Sequence, residues 1–176
     1  CALPIPEGDP ECSACQQQRQ PFTQVCCAWR YDFPLDMLVG NFKYAKDWPA
    51  GRLLSELLAG HLHHLQQEEQ LQLADVLIPV PLASKRLRQR GYNQAQMIAD
   101  WLGKALQLPV LPNAVKRVRY TQIQQGLNIG RHVALVDDVV TTGATCAALS
   151  QILLAAGAKQ VDIYCLARTP LHPGRN

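Results

Sequence analysis

The 176-residue chain has no apolar run near the roughly 20 residues needed to span a bilayer. It has no stretch of signal-peptide character either, so the expected compartment is the cytoplasm. Aromatic residues make up only 6%, which leaves few platforms for stacking the bases of a single strand. Charged residues are also sparse, at 18%, while 48% of the chain is apolar. That balance supports a buried core and excludes wholesale disorder. No Walker A loop and no Gly-x-Gly-x-x-Gly fingerprint occurs, which argues against P-loop and dinucleotide chemistry.

Cysteine is present in odd number, at positions 1, 12, 15, 26, 27, 146 and 165. With a Cys-x-x-Cys pair at Cys12 and Cys15, this suits a reducing compartment and zinc better than a disulfide framework. Cys146 and Cys165 lie in apolar stretches and are expected to be inert core residues. The net charge of +3 is unevenly spread. Between Pro81 and Tyr120, Lys85, Arg86, Arg88, Arg90, Lys104, Lys116, Arg117 and Arg119 face a single acid, Asp100. A basic middle of this kind suits phosphate groups, or else a solvated helix face.

Residues 1–30 are rich in Cys, Pro and Gln and lack periodicity, as expected of a small appendage. Residues 31–170 carry the alternation of a folded domain, and 171–176 form a tail. Helices are expected at Leu35–Ala45 and after Pro49, the second with Leu53, Leu54, Leu57, Leu58 and Leu62 as a core stripe. His61, His63 and His64 near its end are expected to face solvent, because no further zinc ligand lies nearby. Asp75–Val80 predicts a buried strand. Asn93–Leu106 predicts a helix capped by Asn93, with Ile98, Trp101, Leu102 and Ala105 inward. Ala114–Tyr120, His132–Asp137 and Val161–Ala167 predict strands. Gly143–Ala156 predicts a helix with Leu149, Ile152, Leu153 and Ala156 inward, stopped by Gly157. Strands alternating with helices give an α/β fold, a parallel sheet with helices on both faces.

The chemistry concentrates in Val133–Thr145: a strand, then Asp137-Asp138, then Thr141-Thr142-Gly143-Ala144-Thr145, then a helix. The apolar strand delivers the chain to the carboxyl edge of the sheet, where α/β proteins bind ligands. Two adjacent carboxylates there can accept hydrogen bonds from a vicinal diol. The following turn offers backbone N–H groups at a helix N-terminus and three threonine hydroxyls, a site for a phosphate. Gly143 lets the backbone approach that anion. The alternative is an N-capped helix that happens to follow two acids.

This run resembles the pyrophosphate-sugar signature of type I phosphoribosyltransferases, which bind 5-phosphoribosyl pyrophosphate (PRPP). Ile78–Ala95, Val115–Gln124 and Tyr31–Tyr44 resemble, in order, further elements of the ComF family, also called GntX or ComFC. The resemblance spans about residues 27–169. It implies a type I phosphoribosyltransferase-like domain with a Cys-rich, zinc-finger-like appendage at 1–30. It implies that Asp137 and Asp138 hold the ribose hydroxyls. The surrounding Val136, Val139, Val140, Thr141, Thr142, Gly143, Ala144 and Thr145 complete the PRPP pocket. Lys85, Arg86, Arg90 and Asn93 are candidates for the pyrophosphate side, with Mg²⁺ bridging ligand oxygens. The resemblance also implies a structural zinc on Cys12, Cys15, Cys26 and Cys27. As implied partners it offers single-stranded DNA and DNA-uptake proteins. Two places depart from the family pattern. Cys26 is followed directly by Cys27 where a second Cys-x-x-Cys is usual, and Gln125–Gly130 is shorter than the usual basic loop. Both read as excisions. The acceptor is not named by any residue, which leaves three functions open: a PRPP-dependent enzyme, a DNA-handling protein and a PRPP sensor.

Overall fold

The computed structural model describes residues 2, 12–17, 19–116, 122–123 and 131–170. A short helix α1 (Ser13–Gln17) precedes β1 (Val25–Arg30), α2 (Leu35–Tyr44), α3 (Trp48–Gln67) and β2 (Val76–Pro79). Then come α4 (Ser84–Arg90), α5 (Gln94–Leu106), and the two-residue strands β3 (Val115–Lys116) and β4 (Gln122–Ile123). The chain continues with β5 (His132–Val140), α6 (Ala144–Ala155) and β6 (Gln160–Arg168). Four strands form one parallel sheet in the order β1-β6-β5-β2. β3 and β4 form a separate antiparallel pair. Among the described residues no helix is long and apolar enough to cross a membrane.

Both faces of the sheet are covered, which explains the near-continuous apolar runs of β2 and β5. Leu77, Ala134, Val136, Tyr164 and Leu166 pack under α2, α3 and α5. Ile78, Val133, Leu135, Ile163 and Cys165 pack under α6. The outer edge of β2 is not bare. Leu77 exchanges backbone hydrogen bonds with Pro109 and Leu111, which run alongside it. Asp47 caps α3 by accepting from the Ala50 N–H at 3.1 Å, and Pro49 sits in the first turn where its missing N–H is harmless.

Most elements fall where periodicity places them, and the departures are physical. Val25–Arg30 is not part of an aperiodic appendage. It pairs with β6 from Val25↔Ile163 to Arg30↔Arg168 and closes one side of the sheet. In α3 the core stripe is Leu54, Leu58 and Leu62, whereas Leu53 and Leu57 are 56% and 51% exposed. One residue is about 100° of rotation, enough to carry them off the buried face. In α5, Ile98 and Leu102 are buried as expected and Trp101 is half-buried, but Ala105 is exposed and Leu106 takes the inward place. In α6 the buried residues are Cys146, Leu149, Ser150 and Leu153; Ile152 and Ala156 are half-buried. Of the strand expected at Ala114–Tyr120, β3 covers two residues, and 117–120 lie outside the described residues. His63 and His64 are exposed near the end of α3, as expected.

Candidate functional site

The site arises from where two crossovers part company. α5 follows β2 and packs on one face of the sheet, while α6 follows β5 and packs on the other. β2 and β5 are neighbours, so a crevice opens between their carboxyl ends, the usual ligand position in such sheets. A cavity of about 300 Å³ occupies it. Its walls include Tyr31, Lys43, Arg86, Arg90, Asp137, Asp138, Thr141 and Thr145. A smaller hollow adjoins it, formed by residues 139–146 with Asp137.

β5 continues three residues beyond the expected end and carries both acids within the strand. Alternation therefore turns successive side chains to opposite faces. Asp138 faces α2, where its Oδ1 lies 3.0 Å from Lys43 Nζ; the two side chains are 13% and 16% exposed. The same oxygen accepts the Val139 N–H at 2.7 Å. Asp137 turns towards α6, and its Oδ1 accepts the Asp138 N–H at 2.9 Å. Burial first, and then the charge of Asp137, push the Cys146 thiol up to about 12. Because the sheet ends here, both carboxylates still line the one cavity.

The turn that follows can act as an anion cradle. Gly143 has φ of +80°, a left-handed conformation that residues with a Cβ rarely adopt. A Cβ there would meet only ordinary contacts, Phe22 at 3.9 Å and Val140 at 4.0 Å. The glycine is thus required by the backbone conformation rather than by lack of space. Thr142 Oγ1 accepts the Ala144 N–H at 3.3 Å and organises the first turn of α6. From β6, Arg168 reaches beneath the turn. Its Nη1 donates to the carbonyls of Val140 at 2.9 Å and Thr169 at 3.1 Å, and also to that of Thr141. These bonds hold the carbonyls of the turn towards the protein and place a buried cation under the cradle. Burial pulls the Arg168 guanidinium below its ordinary range.

On the opposite wall, the expected pyrophosphate-side residues divide. Arg86 and Arg90 line the cavity; Lys85 is exposed on α4 and does not. Arg90 stacks over the Tyr44 ring at 4.9 Å and donates to its hydroxyl at 3.2 Å. Asn93 lines the cavity, and its amide is also committed to structure. Oδ1 accepts the Ala95 N–H at 3.2 Å, capping α5, and Nδ2 donates to the Val80 carbonyl at 3.0 Å. Val136 is a correction: it is fully buried in the core and lines neither hollow. Lys43, Tyr31 and Arg168 were not legible as site residues in the sequence. The only available signals were a lysine between two aromatics in an element resembling the ComF pattern, and an arginine ending a buried strand.

The expected zinc set does not fit. Cys26 and Cys27 follow one another in β1, so they face opposite sides of the sheet. Cys26 joins the core under α2 and α3, and Cys27 packs on the α6 side. Among the described residues, no three Cys, His, Asp or Glu side chains converge as metal ligands. Burial pushes the Cys26 thiol up to about 12. Cys27 pairs with Cys165, its partner in the β1–β6 register. The hydrogen bond from the Cys165 thiol holds Cys27 below the usual thiol range, with help from Arg168, and the same bond and full burial hold Cys165 above it. The shortened stretch between Gln125 and Gly130 lies outside the described residues.

No protein-family model matches the chain. Curated relatives do. The chain is 33% identical over 178 residues to competence protein F of Haemophilus influenzae, covering 89% of this chain and 78% of that one. It is 33% identical over 187 residues to the DNA utilization protein YhgH of Escherichia coli K12, covering 96% and 82%. Among solved structures, adenine phosphoribosyl transferase from Trypanosoma brucei aligns with 72% of this chain and 55% of its own, at 19% identity and a TM-score of 0.48. With a third of its residues shared over nearly all of its length, the chain belongs to the family of competence protein F and YhgH.

Proposed function

We propose that the crevice binds a ribose 5-phosphate carrying an anionic group at C1, with PRPP as the fitting member of that class. The observation that supports this most is that Asp137 and Asp138 line one cavity with Thr141 and Thr145, while the rest of the Thr141–Thr145 cradle lines the adjoining hollow. A ribose presents a vicinal diol and a 5′-phosphate on one ring, and the two acids and the threonine turn line adjoining hollows. Thr141, Thr142, Thr145 and the N-terminus of α6 take the phosphate, with Arg168 holding the turn. Arg86 and Arg90 face the pyrophosphate.

Mg²⁺ fits this donor set, since hard cations favour carboxylate and phosphate oxygens. Asp137 and Asp138 would hold it together with ligand oxygens, and its chemistry would be to neutralise the charge of the departing pyrophosphate. The protein's share in any displacement at C1 is positioning and charge stabilisation. Calorimetry of PRPP with Mg²⁺ tests the pocket, and pyrophosphate release in the same buffer separates an enzyme from a sensor. Absence of binding would leave the fold standing and remove this reading.

A second reading has its own support. Arg86 and Arg88 are exposed on α4, and Arg90 at its end stacks over Tyr44, whose ring is 76% exposed. Cations next to an open ring suit a single strand of nucleic acid, and the relatives are named for competence and DNA utilization. In this reading the protein serves the use of imported DNA in the cytoplasm. A steep fall of oligonucleotide affinity with salt supports it; no oligonucleotide binding at low salt rejects it.

A further inference from the structure

Lys43 stands in the wall of the cavity on an element that precedes the whole sugar-phosphate motif. Its position is fixed on both sides. Phe42 is fully buried, and α3 approaches it so closely that a Cβ on Gly51 would lie 2.5 Å from its ring. The Tyr92 hydroxyl donates to the Phe42 carbonyl, and burial pushes that hydroxyl up, so it stays a donor. On the other side, Tyr44 is held by Arg90. Two aromatic ties thus pin the α2 end against the α4–α5 junction, with Lys43 between them.

From this geometry we propose that Lys43 is a ligand-binding residue, donating to the anionic group on C1 of the ribose. The inference rests on the ribose-phosphate reading above and deepens it. An ammonium has three donors, and one of them serves Asp138. The ion pair therefore need not break for Lys43 to bind an anion. The direction follows from the two faces of β5. The phosphate cradle lies on the α6 side with Asp137, whereas Lys43 lies on the α2 side with Asp138. With the diol on the two carboxylates and the 5′-phosphate in the cradle, C1 is the ring corner that points to Lys43, Arg86 and Arg90. Lys43 also balances the charge of Asp138, which lets an anion enter beside two carboxylates.

The test compares two probes, PRPP and ribose 5-phosphate, by calorimetry with Mg²⁺ on the full chain. The wild type is expected to bind both. Lys43→Met is expected to lose PRPP affinity by about tenfold or more, the size of a charge-assisted hydrogen bond, while ribose 5-phosphate changes by less than about threefold. Lys43→Arg is expected to restore most of the PRPP affinity. Equal loss of both ligands in Lys43→Met would overturn the proposal and leave Lys43 as a partner of Asp138 only; so would no loss of either. A thermal melt accompanies each variant, and Lys43→Gln replaces Lys43→Met if the latter fails to fold. A wild type that binds neither probe defeats the ribose-phosphate reading itself, and this inference with it. A wild type that binds both, with variants indistinguishable from it, defeats this inference alone.

Discussion

The two ends of the sheet each hold carboxylates, and they treat them differently. At the amino end, Asp162 is fully buried and surrounded by donors from its own protein. Its Oδ2 meets His132 Nε2 at 2.9 Å and Gln24 Nε2 at 3.0 Å, and its Oδ1 accepts from Gln160 Nε2 at 3.3 Å. Nearby, Asp75 accepts the His132 N–H at 3.0 Å. At the carboxyl end, Asp138 meets one backbone N–H and one ammonium, both on Oδ1, and borders a cavity. The first arrangement is closed and holds elements together. The second borders space that a ligand can fill. A buried carboxylate is stable only when its lone pairs are met, and beside Asp138 the cavity leaves room for a ligand to supply donors.

The comparison can be broken at either end. Asp162→Ala removes the acceptor of three side chains and leaves the buried His132 ring nitrogen without it, so it is expected to destabilise by about 1–3 kcal/mol. A urea titration reads this, and the folded fraction should keep its ribose-phosphate affinity. A loss of affinity at unchanged stability would mean that the two ends are not independent. Gly143→Ala places a Cβ on a residue at φ +80° and should cost about 1–2 kcal/mol while weakening phosphate binding. Full retention of both would show that the turn tolerates another shape. The smallest effect is chemical. Thiol alkylation needs the thiolate. Cys26 and Cys146, pushed up to about 12, stay protonated and inert near neutral pH, and become reactive only as pH rises towards that value. Half-buried Cys27, held low by the Cys165 thiol, is expected to alkylate before either. Peptide mapping after iodoacetamide checks the order. Modification of Cys146 first would contradict the burial of the α6 start.

Much of this was legible because the sheet is parallel and covered on both faces. Runs such as Val133–Val136 are apolar without interruption, and the acids and threonines that follow mark the carboxyl edge. What escaped has common causes. β1 is an edge strand with two adjacent cysteines, which look like metal ligands in a sequence and prove to be packing residues on opposite faces. Lys43 reaches Asp138 across 95 positions, and no local pattern encodes a contact of that range. Arg168 follows strand β6 to its last residue, where only the fold shows that the β5 turn lies overhead. Leu53 and Ala105 missed the core by one step of helical rotation, the finest error that periodicity allows.

The central claim is that Asp137 and Asp138 read a ribose diol beside a phosphate cradle. The most direct measurement is calorimetry of PRPP with Mg²⁺ on the wild type and on the double variant Asp137→Asn, Asp138→Asn, with a thermal melt of each. The wild type is expected to bind, and the double variant to bind about a hundredfold more weakly, as two charge-assisted contacts are lost. Its melting midpoint is expected to fall by only about 4 °C, because an amide at 138 can still accept from Lys43 and from the Val139 N–H. A double variant that binds PRPP as the wild type does would contradict the placement of the site.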